Sequence, residues 1–218
     1  MTGGGSVKLV EIKSDADFIV DMMYAKPTNM SGIDAYGQIG LGNRCFIRPE
    51  AAENLENLRP KLRAEHLKLK VFDGYRPPQS HTLMMNAMPV KGLYADSAFL
   101  SSHCHAAALD VCLCREDGEE LNFPTKVDAY LPRFADEVRR GVLDGYRENL
   151  KKAAYAYTSG NARENENRQK LCDLMESAGF ERFASEWWHF DLPRAKEYPL
   201  VQFKVLDGQC VFMPADDG

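Results

Sequence analysis

The order in which helical and strand patterns follow one another constrains the fold of this chain more than any other feature. Leu67, Leu69 and Val71 alternate with polar residues, which is the two-residue period of a β-strand. Apolar residues at helical spacing precede this strand, from Pro49 onward, and return at 171–178. The regular alternation of strand and helix that is typical of a parallel sheet is missing. The sequence therefore predicts an α+β fold.

Local patterns predict further elements. The helix that begins at Pro49 is expected to kink at Pro60, because proline removes a backbone donor and clashes with the preceding turn. The segment 15–24 is interpreted as a helix or a helix–strand edge. Alternation at 109–113 and the aromatic run at 187–190 predict two more strands.

Two helices are predicted in the second half of the chain. Asp128 is a candidate N-cap for the first of them. The second covers 171–178 and ends at Gly179, a residue type suited to the left-handed position after a helix. The apolar stripe of the first helix consists of Leu131, Phe134, Ala135 and Val138.

Length and charge exclude several classes of protein. A chain of 218 residues predicts one domain, which we place at 7–218 after a flexible N-terminus at 1–6. Lys and Arg number 27 against 32 Asp and Glu, a net charge of −5, which argues against a nucleic-acid partner. No apolar run is long enough to span a membrane.

The N-terminus and the cysteines bear on the cellular compartment. Residues 1–6 have neither the basic nor the apolar part of a signal peptide, so they are either a native start or what remains after an export signal was removed. Six cysteines permit disulfides, but a domain of this size does not need them. We therefore expect reduced thiols and a cytoplasmic protein, or a periplasmic one if an export signal was removed.

Reactive side chains concentrate in three short segments, 73–77, 101–110 and 186–189. Two imidazoles and one carboxylate form a common ligand set for a catalytic zinc ion, which keeps a fourth position for water. His103, Asp110 and His189 could supply that set. Glu186 is left free beside the third ligand, where a carboxylate could act as general base.

The spacing of these residues places a condition on the structure. Residues seven apart share a face of a helix, whereas on a strand residues seven or three apart point in opposite directions. The proposed site therefore requires His103 and Glu186 to lie in loops or bulges at the ends of strands.

The full motif set resembles a known family. The sequence contains Ser-x-His with an Asp seven residues after the His, followed later by Glu-x-x-His with two tryptophans between. This pattern resembles that of the D-alanyl-D-alanine dipeptidases, which are VanX-type zinc peptidases. That family is related to the D-Ala-D-Ala carboxypeptidases and to the hedgehog fold. The resemblance covers nearly the whole chain, and its other matching segments are Tyr24-Ala25, 29–32, Asp73-Gly74-Tyr75-Arg76-Pro77 and 167–180. It implies a single domain with a small central antiparallel sheet flanked by helices.

The resemblance also implies roles for individual residues. His103, Asp110 and His189 would hold one Zn²⁺ per chain, and the substrate would be the dipeptide D-alanyl-D-alanine of cell-wall metabolism. Glu186 would be the general base, and Arg76 would stabilise the oxyanion.

Three residues are implied to contact the substrate. Asp128 and Tyr24 would hold its ammonium group, and Ser101 would contact one of its ends. For Asp128 the role of helix N-cap is the alternative. His105 is an alternative metal ligand to His103, but the seven-residue spacing to Asp110 favours His103.

The sequence departs from the family pattern at two places. Ala106 stands where the family usually has glycine, and 123–125 reads Phe-Pro-Thr where the family has Met-Gly-Ser/Thr. Alanine would be strained at Ala106 if the backbone there has a positive φ.

Other interpretations of the same residues are structural. Cys112 and Cys114 form no Cys-x-x-Cys pair and are expected to be buried small residues. His66 and His81 are expected to be surface or structural histidines. Of the two tryptophans, one is expected in the core and the other in the wall of the substrate pocket.

Two other functions fit the same motifs. A murein D,D- or L,D-carboxypeptidase or endopeptidase on the same fold would trim larger wall peptides. A catalytically inactive zinc-binding module would keep the metal ligands, although Glu186 and Arg76 argue against it.

Overall fold

A computed structural model describes residues 6–129, 131, 134, 136, 137 and 140–215. The fold is α+β, as the sequence predicts. Its helices are α1 Pro49–Ala64, α2 Pro78–Ala87, α3 Asp144–Lys151 and α4 Ala162–Ser177. Its strands are β1 Val10–Ile12, β2 Phe18–Val20, β3 Cys45–Ile47, β4 Leu67–Asp73, β5 Ala108–Arg115, β6 Glu181–Phe183, β7 Glu186–Asp191, β8 Val201–Leu206 and β9 Gln209–Pro214.

The central sheet has five strands in the order β2-β4-β5-β7-β6. The neighbours β4–β5, β5–β7 and β7–β6 are antiparallel, as expected, whereas β2 pairs with β4 in parallel at one edge. Two further antiparallel pairs, β1–β3 and β8–β9, lie outside this sheet.

Helices α1 and α4 cover the sheet with the apolar faces that their sequence periods predict. Leu55, Leu58 and Leu62 of α1 are fully buried, as are Leu171 and Met175 of α4. Burying a leucine side chain contributes about 1.5–3 kcal/mol, so these rows hold both helices on the sheet. The predicted stop at the end of α4 is present, since Gly179 has a φ of +102°.

One prediction in the N-terminal half differs from the structure. The segment 15–24 forms strand β2 and leads into a 3₁₀ helix at Met23–Ala25, so tertiary pairing with β4 decided an ambiguous pattern. Helix α1 includes Pro60, which lies exposed near the C-terminal end of the helix and removes one backbone hydrogen bond, and the kink at this residue stays a prediction.

Some predictions fall on residues that are not described. Ala135 and Val138 of the predicted helical stripe, and residues 1–5 of the predicted flexible start, lie outside the described part of the chain. None of the helices within that part has the length and the apolar character needed to cross a bilayer.

Candidate metal and substrate site

The register of the central sheet brings remote residues into one row. Asp110 on β5 lies opposite Asp73 on β4 and opposite His189 on β7. His103 lies on a 3₁₀ helix, Ser102–His105, shortly before β5. Glu186 is the first residue of β7, next to a register shift between β6 and β7. Both residues thus occupy strand ends or turns, as the ligand spacing requires.

The three predicted metal ligands converge on one point. His103 Nε2 lies 3.1 Å from His189 Nδ1 and 3.3 Å from Asp110 Oδ2, and His189 Nδ1 lies 3.1 Å from Asp110 Oδ1. All three side chains are buried. Zinc ligands about 2.0–2.1 Å from a tetrahedral ion lie about 3.3 Å apart, so the spacing of these donors fits such an ion.

Hydrogen bonds on the far side of each imidazole set its tautomer. His103 Nδ1 lies 2.9 Å from the carbonyl oxygen of Gly74, to which it donates. His189 Nε2 lies 2.9 Å from Asp191 Oδ1 and 3.3 Å from Ser102 Oγ. In the neutral rings that metal binding requires, the nitrogens that face Asp110 carry the free lone pair, whereas in the protonated rings the same nitrogens donate to Asp110.

Glu186 lines the same cavity as the three donors. Burial raises the pKa of its carboxyl group, and the negative charge of Asp110 acts in the same direction, while His189 opposes them. A carboxylate with a raised pKa takes and returns a proton more readily near neutral pH, as general acid–base chemistry requires.

Arg76 is held at the site from two directions. Its backbone N–H donates to the carbonyl of His103 at 3.1 Å. Its guanidinium donates to Asp73 Oδ2 from Nε at 2.9 Å and from Nη2 at 2.7 Å, and lies 4.7 Å from the centre of the Tyr24 ring. Tyr36 donates a hydrogen bond to the other oxygen of Asp73. Arg76 is thus a fixed positive charge beside the predicted metal ligands.

The residues implied to hold the substrate ammonium also meet. The Tyr24 hydroxyl donates to Asp128 Oδ2, although 104 residues separate the two in sequence. Burial and the charges of Asp110 and Glu186 raise the pKa of Asp128 to about 7, while the Tyr24 hydrogen bond and Arg76 lower it. The helix that Asp128 would cap lies largely outside the described residues.

These side chains share one cavity of about 310 Å³. That volume is near the lower end of the roughly 300–1,000 Å³ typical of small-molecule sites. Buried Ser101 lines it, as does Trp188. Trp187 belongs to the core instead: it stacks on Phe123 with ring centres 4.0 Å apart and donates to Thr125 Oγ1 at 2.9 Å. Segment 123–125, in which the sequence departs from the family pattern, thus holds a core tryptophan in place.

The other histidines lie apart from the metal donors. The two ring nitrogens of His105 face the carbonyl oxygens of Tyr198 and Phe99, at 2.7 and 2.9 Å. His66 is exposed beside Glu116, and buried His81 lies 2.9 Å from the carbonyl of Ala95. Cys112 and Cys114 are buried free thiols, in agreement with their predicted structural role.

Ala106, which stands where the family usually has glycine, adopts a backbone conformation that glycine accommodates more easily. Its backbone is left-handed, with φ 56° and ψ 28°, directly after the 3₁₀ helix that carries His103. Such a conformation costs an L-residue other than glycine roughly 1–2 kcal/mol. The chain therefore stores strain at the turn that positions His103, one of the predicted metal ligands.

Several supporting residues were not identified from the sequence. Asp191 follows His189 by two positions on a strand, so it lies on the same face, and that spacing could have revealed it. Asp73 precedes Arg76 by three residues and could have been recognised as its ion-pair partner. Ser102 and Tyr36 have no comparable local signal, because their contacts are made across the fold.

Comparisons with known proteins place these observations in a family. The model of the peptidase M15 family, described as D-Ala-D-Ala dipeptidase, matches residues 5–207. The chain is 28% identical over 185 residues to a D-alanyl-D-alanine dipeptidase of Escherichia coli K12, covering 85% of this chain and 84% of that protein. A D-alanyl-D-alanine dipeptidase of Enterococcus faecium is 29% identical over 204 residues, covering 84% of this chain and 89% of its own length.

A third relative is the D-alanyl-D-alanine dipeptidase of Enterococcus faecalis V583, which is 27% identical over 193 residues and covers 79% of this chain and 84% of its own length. The family match spans far more than half of the chain, and it agrees with the resemblance found in the motifs. The chain belongs to the D-Ala-D-Ala dipeptidase family of peptidases.

Proposed function

We propose that this peptidase hydrolyses D-alanyl-D-alanine to two molecules of D-alanine with the help of one zinc ion. The observation that carries the proposal is the convergence of His103, Asp110 and His189 in a small cavity that Glu186 and Arg76 also line. Zn²⁺ bound to the three donors would supply Lewis-acid activation of water and polarise the scissile carbonyl.

Glu186 is assigned the proton transfers. Its carboxylate accepts a proton from the attacking water and then delivers it to the departing amine of the second alanine. The raised pKa of Glu186 supports this role, because the group must hold the proton between the two steps.

Arg76 is assigned to the carbonyl oxygen, on which negative charge develops during attack. Its guanidinium is oriented before substrate binds by Asp73, so little reorganisation is needed when that charge forms. Removing a single donor of this kind costs roughly 2.7–4 kcal/mol of transition-state stabilisation in other enzymes.

The size of the cavity supports a dipeptide over a longer wall peptide. A chain extended beyond two residues would bring further bulk and buried polar groups into a space of about 310 Å³. Buried, free cysteines further support the cytoplasm as the working compartment, where thiols stay reduced.

The central test compares Glu186→Gln with Glu181→Gln, which changes an exposed glutamate on the neighbouring strand β6. We expect Glu186→Gln to lower kcat for D-alanyl-D-alanine by about 10²–10⁴-fold. Zinc content should stay at one ion per chain in both variants. Turnover of Glu186→Gln at the rate of the Glu181→Gln control would remove the general-base assignment.

Substrate choice is measured on the zinc-loaded wild-type chain. Release of D-alanine from the dipeptide, and not from a pentapeptide ending in D-Ala-D-Ala, is the expected result. Release from the pentapeptide would point to a murein carboxypeptidase. Zinc binding with no hydrolysis of either substrate would point to an inactive binding module.

A further inference from the structure

The charges that line the cavity are unbalanced. A dipeptide in its zwitterionic form brings one ammonium and one carboxylate group, and each needs a partner when it leaves water. The anionic side chains that line the cavity are Asp110, Asp128, Glu186 and Asp191, and the cationic ones are Arg76 and Lys196.

The two cationic side chains differ in whether they already have an anionic partner in the protein. Buried Arg76 donates two hydrogen bonds to Asp73 and is assigned to the scissile carbonyl oxygen, so it is not available to bind a group at the end of the substrate. Lys196 is exposed at the cavity and makes no ion pair with any residue in the described part of the chain. Its neighbour Glu197 is paired with Arg194.

The backbone that carries Lys196 is held against the metal site. Lys196 lies in the 3₁₀ helix Ala195–Glu197, and the side chain of Ala195 is buried. The carbonyl of Tyr198, at the end of this helix, accepts a hydrogen bond from His105 Nδ1 at 2.7 Å. His105 belongs to the same short helix as His103. The root of the Lys196 side chain is therefore fixed relative to the metal donors.

Lys196 and Asp128 line the same cavity but have different neighbours. The polar groups that dominate the surroundings of Asp128 are Tyr24, Arg76, Asp110 and Glu186. The helix of Lys196 instead packs on Ser102–His105, whose Ser102 contacts His189. Lys196 is therefore carried on the helix beside Ser102 and His189, where the carboxylate of Asp191 is already bonded to His189 and leaves the ammonium of Lys196 without an ion-pair partner among the described residues.

We propose that Lys196 binds the C-terminal carboxylate of the dipeptide, while its ammonium group lies at Asp128. This inference rests on the proposed dipeptidase function and adds an orientation to it: the scissile carbonyl is placed at the metal donors by opposite charges at the two ends. It also makes the free carboxylate a requirement for tight binding, since a neutral group at that end gains nothing from the ammonium of Lys196.

The test uses the zinc-loaded full chain and two substrates, D-alanyl-D-alanine and D-alanyl-D-alanine amide, which lacks the negative charge. Lys196→Met is compared with Lys196→Arg, which keeps the charge, and with Lys204→Met, which removes an exposed lysine from β8. We expect Lys196→Met to raise KM for the dipeptide about tenfold with kcat changed less than about twofold. KM for the amide should stay the same, and Lys196→Arg should retain most of the dipeptide affinity.

The outcomes separate this inference from the proposed function. If the wild type hydrolyses the dipeptide but Lys196→Met has the KM of the Lys204→Met control, the carboxylate assignment is wrong and the dipeptidase function stands. A KM that rises equally for the dipeptide and the amide would also overturn it, because charge would then not be what Lys196 recognises. Failure of the wild type to hydrolyse the dipeptide would overturn both.

Discussion

Asp110 and Asp128 lie in the same cavity but in opposite electrostatic surroundings. Burial disfavours the charge of Asp110, yet His103 and His189 outweigh this effect and hold its pKa far below the ordinary range. Asp128 is also removed from water, but its charged neighbours include Asp110 and Glu186, and its pKa is raised to about 7. One carboxylate is held as an anion by its partners, whereas the other retains a proton up to neutral pH.

This difference shows how one cavity can have two kinds of acidic site. A carboxylate with a strongly lowered pKa is suited to a cation that stays bound, such as a metal ion. A carboxylate with a raised pKa is suited to a cation that arrives with the substrate, because the incoming ammonium supplies the missing positive charge and displaces the proton.

Replacing Asp110 with Asn should have the largest effect, because it removes the anion between the two imidazoles. Loss of an outer partner of a metal ligand typically lowers metal affinity about 10–100-fold, and loss of the ligand charge itself should exceed that. We expect zinc to be lost on dialysis and D-alanine release to fall below detection. Retention of one zinc ion per chain, measured by metal analysis, would contradict the assignment of Asp110 as a ligand.

Replacing Asp128 with Asn should leave metal binding unchanged and weaken substrate binding. KM for D-alanyl-D-alanine should rise about tenfold, as expected when a charge-assisted hydrogen bond is lost, with zinc content unchanged. Asp173→Asn on the exposed face of α4 is the matched control. If zinc were lost from Asp128→Asn, the two aspartates would not have the separate roles that their surroundings indicate.

The same variant should change how stability depends on pH. The folded chain holds the Asp128 proton up to about pH 7, whereas the unfolded chain releases it near pH 4. Because the folded state binds more protons in this window, Asp128 makes the free energy of unfolding fall as pH rises from about 4 to about 7. Asp128→Asn should remove that contribution, on the order of 1–3 kcal/mol, in urea titrations at pH 5 and pH 7.5. An unchanged difference between the two pH values would contradict the raised pKa.

Replacing Tyr24 with Phe should have the smallest effect, and its main action should be on the pKa of Asp128. The Tyr24 hydroxyl donates to the Asp128 carboxylate and lowers its pKa, so its removal should raise that pKa further. We expect the pH at which KM changes to move upward and KM at neutral pH to rise a few-fold. Tyr157→Phe is the control, because Tyr157 is half-buried and does not line the cavity. A shift of the KM profile to lower pH would show that the Tyr24 hydroxyl does not stabilise the Asp128 anion.

The fold could be predicted from sequence wherever a pattern was long and regular. The alternation at 67–71 and the helical period of 171–178 both predicted the correct elements, β4 and α4. The segment 15–24 was too short for its own pattern to decide, and its pairing with β4, some 50 residues away, made it a strand. Pairing between remote strands is a tertiary property that no local window contains.

The sequence predicted which residues form the candidate site, but only some of the contacts that hold them in place. The motifs indicated His103, Asp110 and His189 together, with Glu186 beside them. The carbonyl of Gly74 behind His103 and the hydroxyl of Ser102 beside His189 carry no signal in the sequence. Their contacts depend on how a turn lies over a sheet, not on residue identity.

The sequence by itself determined which chemical groups are available, because two imidazoles and three carboxylates are properties of the residues. Only the tertiary structure decided what each group does. The register that aligns Asp73, Asp110 and His189 across three strands sets the distances between the donors. The same folding gives two aspartates of equal intrinsic acidity opposite shifts in pKa, since acidity in a protein depends on burial and on neighbouring charge.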